Sequence, residues 1–577
     1  MDRPLIRLDA SLGPDAIAGA DSSVAISPDG TRIVFPIRGA DGKQLLATRL
    51  LDQAAISPLP GTENSSNAFF SPDGQWIGFY GDGKLKKVSL RGGAPVTLTD
   101  VTSTLFRGAS WGENGNIVVR LLFFGGLHGV SASGGAPRVM TNLGQQEVIH
   151  LWPQVLPGGN AVLFTASRTP ASFEDADIEV VSLKTGAVKT LLSGGFLGRY
   201  LPTNGSTGHL VHVHQGVLYA VAFDPLRLEV RGSPEQVLDD MADASTNPFD
   251  FSRNGTFVYH PGAVVDQKWP IVWMDSSGKT EPLVTIPGNY SWPRFSPDGK
   301  RLAMVVDTGK GREIFVYDRQ RDAMSRLTFA GGENRSPIWS PDGEHLVFYS
   351  RTAAGSHLNW IRADGSGEVQ VLLESTPLPS GFSRDGRRLA YAELKPDGDL
   401  DLWTLPLDTS DPERPKPGKP LPFLQTPTNE SVLSFSPDGG YVAYLSNESG
   451  RYEIYVRPAP GPDGKPGPGK WQISTGGGIY LEWSPNGREL FYRSLDNRIM
   501  VADYTATGSF SFDKPRVWSD RQIRQLGTDL NFALAPDGKR FAVFPMSEAT
   551  TEDKGPAHVT FLLNFFDELR RKVPVSK

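Results

Sequence analysis

The chain has 577 residues, too long for one ordinary domain and comfortable for two. Its 58 basic and 64 acidic side chains give a net charge of −6, so composition offers no reason to expect nucleic acid or an anionic membrane as partner. It contains no cysteine, which excludes disulfides, thiolate metal sites and a cysteine nucleophile.

One turn recurs from end to end of the chain and predicts its fold. A strand ends on an aromatic residue, a Ser-Pro-Asp-Gly turn follows, and a second strand leaves with apolar alternation. Proline presets φ, aspartate bonds its own backbone and glycine takes positive φ, so each copy predicts a hairpin. The turns begin at Ser27, Ser71, Gly112, Leu156, Pro202, Ser252, Ser296, Ser340, Ser383, Ser436, Ser484 and Ala535.

The spacing of these twelve turns predicts propeller blades. Eleven intervals span 508 residues between Ser27 and Ala535, about 46 residues each, the length of one four-stranded blade. Further strands follow the hairpins, for example at 313–318 and 324–328. We therefore predict an all-β protein, a β-propeller of twelve four-stranded blades, with one short helix near 565–571.

Twelve blades in a single ring would leave a wide hole, so two tandem six-bladed propellers are the economical division. We predict the first propeller over residues 1–284 and the second over 285–577. Residues 269–275 and 279–284 would then be the last two strands of blade six. Residues 3–9 resemble a surplus strand, and blade twelve lacks a fourth strand after 531–534, 539–544 and 558–563. We predict that the N-terminal strand completes blade twelve, because an unpaired edge is a liability.

The repeated unit resembles the TolB-like, WD-related propeller repeat. The irregular copies are more specific: Gly92-Gly-Ala-Pro95, Gly108-Ala-Ser-Trp-Gly112, His150-Leu-Trp-Pro153 and Leu563-Asn-Phe-Phe-Asp-Glu-Leu569. This series resembles the propeller region of bacterial receptor-type serine/threonine protein kinases, which implies a sensory or scaffold segment in an extracytoplasmic or periplasmic location. The kinase motifs are missing, so no kinase activity is expected.

The sequence also contains candidate metal ligands. His212 and His214 lie on one face of the second strand of the fifth blade, at a spacing that can bind one metal; a polar strand face is the alternative. His150 precedes an innermost strand, close to Glu147. We therefore name Glu147, His150, His212 and His214 as metal candidates, with calcium or zinc as the ion, although no cofactor is required by the sequence.

Three other motifs have structural interpretations. Gly108-Ala-Ser110-Trp-Gly112 matches a nucleophile elbow, but a strand follows it where the elbow needs a helix. The acidic clusters Asp397-Gly-Asp399-Leu-Asp401 and Glu174-Asp-Ala-Asp177 resemble solvated loops more than calcium loops.

Ligands of a propeller are expected where the chain enters the innermost strands. These entries carry mixed carboxylates, amides and cations. The ligand-binding candidates are Glu63, Asn64, Arg107, Arg199, Tyr200, Glu333, Asn334, Arg335, Asn429, Glu430 and Asp529.

Two functions follow from these patterns. The first is a sensor-like scaffold that binds a protein, a peptide or a small polar ligand at a channel mouth. The alternative is a metal-dependent propeller hydrolase of the esterase, lactonase or phosphotriesterase type, in which a channel metal held by Glu147, His150 and neighbours activates water. The N-terminus has no signal-peptide pattern and no run reaches about 18 apolar residues, so we expect a soluble chain without a membrane span, cytoplasmic if expressed as it stands.

Overall fold

The computed structural model describes most of the chain, and all structural statements refer to these residues. They are 3–17, 23–39, 43–101, 106–122, 124–145, 147–168, 173–205, 207–239, 241, 247–261, 268–308, 311–329, 332–352, 355–395, 399–506, 509–524, 526, 529–546 and 557–574. Two compact units divide the chain: Met1–Val265 with Ala549–Lys577, and Asp266–Glu548.

The first unit consists of four-stranded antiparallel sheets and one helix. Its elements are β1 (Ile6–Ser11), β2 (Ala25–Ile26), β3 (Arg32–Arg38), β4 (Gln44–Leu50), β5 (Ser57–Pro58), β6 (Ser65–Phe70), β7 (Trp76–Gly81), β8 (Lys84–Ser89), β9 (Val96–Asp100), β10 (Ala109–Trp111), β11 (Asn116–Val119), β12 (His128–Ser131), β13 (Arg138–Val139), β14 (Ile149–Val155), β15 (Ala161–Ser167), β16 (Asp177–Ser182), β17 (Val188–Ser193), β18 (Phe196–Asn204), β19 (Thr207–His214), β20 (Val217–Asp224), β21 (Glu229–Leu238), β22 (Phe249–Phe251), β23 (Phe257–Tyr259), β50 (His558–Leu563) and α1 (Phe565–Lys572). The sheets are β2–β5, β6–β9, β10–β13, β14–β17, β18–β21 and β22-β23-β50-β1.

The second unit repeats this plan. Its strands are β24 (Trp269–Met274), β25 (Thr280–Gly288), β26 (Tyr290–Phe295), β27 (Arg301–Asp307), β28 (Gly311–Asp318), β29 (Ala323–Arg326), β30 (Gly332–Trp339), β31 (His345–Thr352), β32 (Gly355–Arg362), β33 (Gln370–Glu374), β34 (Pro377–Phe382), β35 (Arg388–Leu394), β36 (Leu400–Asp408), β37 (Lys416–Pro417), β38 (Leu421–Leu424), β39 (Glu430–Phe435), β40 (Tyr441–Ser446), β41 (Glu453–Pro458), β42 (Trp471–Gln472), β43 (Ile479–Trp483), β44 (Glu489–Arg493), β45 (Ile499–Thr505), β46 (Ser511–Phe512), β47 (Arg516–Val517), β48 (Phe532–Leu534) and β49 (Phe541–Val543). We call each group of strands that contains one copy of the turn a blade. In this unit the blades are β26–β29, β30–β33, β34–β38, β39–β42, β43–β47 and β48-β49-β24-β25. A short parallel pairing of β28 with β30 joins the first two of these blades into one sheet.

The recurrent turn forms as its residues predict. In the copy at Ser296, the Asp298 carboxylate accepts the Ser296 hydroxyl at 2.6 Å and the amide of Lys300 at 3.0 Å. The Ser296 hydroxyl oxygen in turn accepts the amide of Arg301 at 3.0 Å, and Gly299 takes φ 70°. These bonds join both arms of the hairpin, so serine and aspartate fix the same turn in blade after blade.

The hydrophobic core of each unit lies between neighbouring sheets. One cluster joins Leu163 and Val180 of one sheet to Leu210 and Val221 of the next, all fully buried. Because strands of each blade are covered on both faces, they are rich in apolar residues at consecutive positions, as in Arg301–Asp307. This face-to-face packing of four-stranded sheets is the propeller architecture that the repeat predicts.

A second recurrent contact fixes the outer part of several blades. A threonine or serine that follows the outer strand accepts, through its hydroxyl oxygen, the amide N–H of an apolar residue near the start of the third strand, at 2.8–3.0 Å. The pairs are Thr62 with Leu46, Thr141 with Leu127, Thr328 with Ile314 and Ser474 with Ile454. We call this contact the hydroxyl latch.

The predicted boundary between the halves is corrected by the strand pairing. β24 pairs with β49, with Trp273 opposite Ala542, so residues 269–288 complete the last blade of the second unit rather than blade six. β50 crosses back to pair with β23 of the first unit. The second unit is therefore inserted in the chain of the first, between Val265 and Ala549.

The N-terminal strand completes a blade of the first unit, and not blade twelve as predicted. β1 pairs antiparallel with β50 over Ile6↔Leu563 to Ser11↔His558. The sequence predicted that pairing, but placed β50 beside residues 539–544, whereas the structure places it beside β23. The N-terminal strand thus closes the first unit.

Deletion of residues 1–11 is expected to destabilise the first unit and to leave the second unchanged. It would expose the whole edge of β50, whose Val559, Phe561 and Leu562 are buried. Hydrogen exchange should show faster exchange in β22, β23 and β50, with unchanged protection in β26–β49. Faster exchange in β48 and β49 instead would contradict this closure.

Helix α1 packs inside the first unit. The ring centroid of Phe565 lies 4.5 Å from that of Phe257 on β23. The carbonyl oxygen of Val573, just beyond the helix, accepts a hydrogen bond from Nε2 of His209 on β19 at 2.6 Å. The helix therefore bridges the blade of β18–β21 and the blade of β22-β23-β50-β1, and confirms the predicted position near 565–571. No helix among the described residues is long and apolar enough to cross a bilayer.

Candidate functional site

A bulge in the first strand changes the direction of one side chain in six of the blades. Four residues before the turn, a residue other than glycine takes φ between 47° and 56°. These residues are Asn67, Trp152, Trp292, Ser336, Val432 and Tyr480. The strand register shifts at the same places. Bulges change the direction of a side chain and are frequent beside binding sites. The end of each unit that carries these bulges is therefore the place where a binding site is expected.

At this end of the second unit, two aromatic rings and an ion pair meet. The Trp292 and Tyr480 rings lie 6.4 Å apart, edge to face. Asp529 accepts the Trp292 indole N–H at 3.0 Å and one guanidinium N–H of Arg312 at 2.8 Å. Glu333 lies 3.7 Å from the same Arg312 nitrogen. Burial lowers the pKa of Arg312, but the carboxylates of Asp529, Glu333 and Asp307 outweigh this and raise it. The charge of Arg312 is therefore neutralised by neighbouring carboxylates of the protein itself.

Two further guanidinium groups in this region have no carboxylate of the described residues within 4.0 Å. Arg335 is 8% exposed and lies over the Tyr349 ring at 5.0 Å. Arg493 is 1% exposed and lies over the Tyr480 ring at 5.1 Å. Nε of Arg335, and Nε and Nη1 of Arg493, have no hydrogen-bond partner among the described residues. Burial lowers the pKa of Arg493 to about 10, and both cations act electrostatically on Tyr480.

Three predicted ligand residues of the second unit instead make internal contacts. Asn334 donates to the Arg312 carbonyl at 3.0 Å and to Glu313 at 3.1 Å. The side-chain oxygen of Asn429 accepts the Leu400 amide N–H at 2.9 Å, in the place that a hydroxyl oxygen takes in the latches of other blades. Glu430 is fully buried and accepts the hydroxyls of Thr426 and Thr428 at 2.6 Å, with its pKa raised by burial. The structure therefore gives these three side chains supporting roles.

The predicted ligand residues of the first unit are scattered. Glu63 and Asn64 are exposed, and Glu63 accepts only the nearby Gly61 amide at 3.2 Å. Arg107 lies over Trp152 and Phe173 at 5.6 and 5.0 Å. Arg199 donates to the carbonyl of Trp152 at 2.7 Å, and burial lowers its pKa to about 10. Each of these side chains therefore makes its own local contacts.

Tyr200 is corrected from ligand candidate to core residue. It is 2% exposed and packs 5.7 Å from Phe223 within the hydrophobic cluster between two sheets. Burial raises its pKa to about 12. Since an innermost strand also supplies the packing between blades, a tyrosine there has no need to face the channel.

Glu147 and His150 lie together, as predicted from their spacing, and the structure adds Glu179. One ligand atom from each lies within 4.8 Å of the others. His150 Nε2 is 2.8 Å from a Glu147 oxygen, and its Nδ1 is 2.8 Å from the Thr141 hydroxyl. Glu179 on β16 accepts the Thr190 hydroxyl at 2.8 Å. This is the single group of three metal-ligating residues in the described part of the chain.

His212 and His214 do not join that group. Both lie on β19, as predicted, and stand near Tyr219 with ring separations of 5.6 and 6.5 Å. Burial lowers the pKa of His212 to about 4. His214 lies 3.2 Å from a Glu174 oxygen at the surface. Their surroundings fit a polar strand face, the alternative that the sequence left open.

The remaining motifs have structural roles. Ser110 lies on β10 and pairs with Val118 of β11, so a strand follows it, and its hydroxyl oxygen accepts the Val155 amide at 2.9 Å. Asp397 lies outside the described residues. The Asp399 carboxylate accepts a hydrogen bond from the side-chain amide of Asn429 at 2.6 Å. Asp177 of the other acidic cluster pairs with Arg168 at 2.7 Å.

Sequence reasoning missed Arg493, Trp292 and Glu179. Arg493 and Glu179 lie on second and third strands, whereas we considered only the loops that enter first strands. Trp292 would have been found only by knowing the bulge, which reverses the ordinary alternation of side chains.

Comparison with known proteins agrees with this architecture. Residues 250–377 match the family model of the PD40 repeat, described as a TolB beta propeller domain. Over these residues the chain is similar to the TolB beta propeller domain. An uncharacterized protein of Agrobacterium fabrum is 26% identical to it over 224 residues, covering 37% of this chain and 74% of that protein. The Tol-Pal system protein TolB of Gluconobacter oxydans is 29% identical over 168 residues, which cover 21% of this chain and 37% of that TolB.

Solved structures align with this chain at low sequence identity. TolB from Acinetobacter baumannii is 17% identical, with a TM-score of 0.29, covering 54% of this chain and 77% of that chain. Oligogalacturonate lyase from Vibrio parahaemolyticus is 12% identical, with a TM-score of 0.32, covering 61% of this chain and 95% of that chain. At these scores, the activities of those proteins carry no weight for this one.

Proposed function

We propose that this protein is a sensor-like binding scaffold, and that the second unit binds a partner through a carboxylate group. One observation carries the proposal: Arg335 and Arg493 are buried cations, and Nε of Arg335 and Nε and Nη1 of Arg493 lack hydrogen-bond partners among the described residues. The resemblance to the propeller regions of receptor kinases supports a scaffold of this kind.

The physical reason is the cost of a buried, uncompensated charge. Such a group is normally paired, because removing it from water without a partner costs several kcal/mol. Arg312 nearby already has Asp529 and Glu333 as partners, so those carboxylates do not neutralise Arg335 or Arg493. A bound anion would satisfy these donors with charge-assisted hydrogen bonds.

The surroundings favour a carboxylate on an organic partner over a bare inorganic anion. The Trp292 and Tyr480 rings stand beside the cations and offer apolar surface to the group that carries the charge. A peptide with a free carboxyl end combines both features, and is the first ligand class to test.

The test is peptide binding by the full-length protein. A library of hexapeptides with free carboxyl ends is screened by fluorescence anisotropy, and each binder is remeasured with an amidated end. We expect amidation, Arg335→Gln and Arg493→Gln each to weaken binding by about tenfold or more, since a hydrogen bond to a charged group contributes about 1.5–3 kcal/mol.

The matched control is Arg362→Gln in the same unit. Arg362 is an exposed arginine that already has Asp364 at 3.0 Å, so its loss should not change binding. Equal binding of amidated and free peptides, or an equal effect of Arg362→Gln, would contradict the proposal. As a second measurement, Arg493→Met should leave the stability of the unliganded protein unchanged or raise it, because it removes an unpaired buried charge.

The hydrolase alternative has one supporting observation, the group of Glu147, His150 and Glu179. A catalytic metal needs an open position that substrate can reach. Here the imidazole is 1% exposed and the carboxylates of Glu147 and Glu179 are largely buried inside one blade. This burial favours a structural ion over a catalytic one.

A further inference from the structure

We propose that the first unit binds one divalent transition-metal ion through Glu147, His150 and Glu179, and that this ion stabilises the blade of β14–β17. The inference is separate from the carboxylate site of the second unit and does not depend on it.

The geometry brings three ligands of suitable type to one point. Glu147 precedes β14, His150 lies on β14 and Glu179 lies on β16, so the group spans two strands of one blade. Their ligand atoms all lie within 4.8 Å of one another. An ion among them would join strands that are separated by β15 in the sheet.

Each ligand is held by a second hydrogen bond, as metal ligands usually are. The Thr141 hydroxyl oxygen accepts the Leu127 amide at 2.8 Å and lies 2.8 Å from Nδ1 of His150, so it also accepts the Nδ1–H of the tautomer whose Nε2 is free to bind a metal. Nε2 is then the nitrogen that faces Glu147, at 2.8 Å. Thr190 donates to Glu179, and the Gly144 amide donates to Glu147. The donor atoms are thus oriented before any ion arrives.

The charge of the group also calls for a cation. Two carboxylates face one imidazole, and no lysine or arginine nitrogen of the described residues lies within 4.0 Å of either carboxylate. Burial and the neighbouring Glu147 raise the pKa of Glu179. Burial also acts to raise the pKa of Glu147, but hydrogen bonds from His150 and Gly144 outweigh it and lower that pKa.

The second unit has an asparagine at the position of His150. Asn334 and His150 each stand six residues before the first residue of their turn, Ser340 and Leu156. Asn334 donates to Glu313 of the preceding blade, and Arg326 pairs with that carboxylate at 2.8 Å. His150 instead contacts Glu147 and lies near Glu179 of its own blade, where no arginine or lysine nitrogen of the described residues lies within 4.0 Å of the two carboxylates.

The donor set selects the class of ion. Imidazole with two carboxylates suits zinc and its neighbours, whereas calcium and magnesium prefer oxygen ligands alone. Zn²⁺ is therefore the probe, with Co²⁺ as a spectroscopic substitute.

The experiment uses the full-length protein after chelator treatment and dialysis. We expect it to take up one Zn²⁺ per chain by elemental analysis. Saturation at about 100 times Kd should raise the Tm of the first unit by about 5 °C. Co²⁺ should give visible absorption bands, which Zn²⁺ removes.

The variants are chosen to keep the local hydrogen bonds. His150→Asn restores the residue found at the matching position of the second unit, and Glu179→Gln keeps the acceptor for Thr190. Each should weaken Zn²⁺ binding at least about 100-fold, since even supporting residues of metal ligands cost about 10–100-fold. His214→Asn, on the next blade, is the control and should not change affinity.

Three outcomes would overturn the proposal: no Zn²⁺ uptake and no Co²⁺ absorption by the wild-type protein, undiminished binding in both variants, or equal loss in His214→Asn. The wild-type measurements decide the question even if a variant fails to fold.

Discussion

A fragment of residues 266–548 is expected to fold by itself, whereas a fragment of residues 285–577 is expected to be unfolded. A fragment that starts at residue 285 lacks β24 and the first five residues of β25, which belong to the blade that β48 and β49 begin. Their absence takes Ile271, Trp273, Met274 and Val284 out of the core. At about 1.5–3 kcal/mol for each buried side chain, the loss is comparable with the whole stability of a typical domain.

Circular dichroism and calorimetry of the two purified fragments measure this difference. Residues 266–548 should give one cooperative transition, and 285–577 should give none. A control joins residues 1–261 to 557–577 through a short flexible linker, and should fold as the first unit. Equal cooperativity of the 285–577 and 266–548 fragments would contradict the pairing of β24 with β49.

Glu482→Ala is expected to destabilise the second unit by about 3 kcal/mol, the lower end of the cost of breaking a buried ion pair. Glu482 of β43 pairs with Arg294 of β26, and its other oxygen accepts the Leu534 amide of β48 at 2.7 Å. Three blades are therefore joined by one carboxylate. Its removal leaves the Arg294 cation largely buried without its partner.

Denaturant unfolding of the single variants and of the double variant Arg294→Met/Glu482→Leu tests this claim. The double variant should lose less than the sum of the single changes, because an ion pair replaced by apolar side chains leaves no unpaired charge. Glu281→Ala is the control: its pair with Lys279 is exposed, so its loss should cost less than about 0.5 kcal/mol. Additive losses at Arg294 and Glu482 would show that the two residues act independently.

Much of the candidate metal site could be predicted from the sequence, but little of the carboxylate site. Glu147 and His150 are three residues apart at one strand entry, so local geometry brings them together. Glu179 joins them only through the pairing of β14 with β15 and of β15 with β16. Arg493 approaches Tyr480 because β43 and β44 pair in one register, with Ile479 opposite Arg493. Neither the approach of Glu179 to His150 nor that of Arg493 to Tyr480 can be read from the spacing of these residues along the chain.

The sequence by itself determined the turns, the hairpins and the four-stranded repeat, because these depend on neighbouring residues. Serine, proline, aspartate and glycine fix each turn through contacts within five positions, and apolar alternation fixes the strands beside it. Only the tertiary structure decided which blade receives β24 and β50. Apolar periodicity identifies a strand and its buried face, but every blade offers a similar edge. The choice between edges rests on side-chain packing between distant segments, such as Trp273 with Phe295 at 5.1 Å and Phe257 with Phe565 at 4.5 Å.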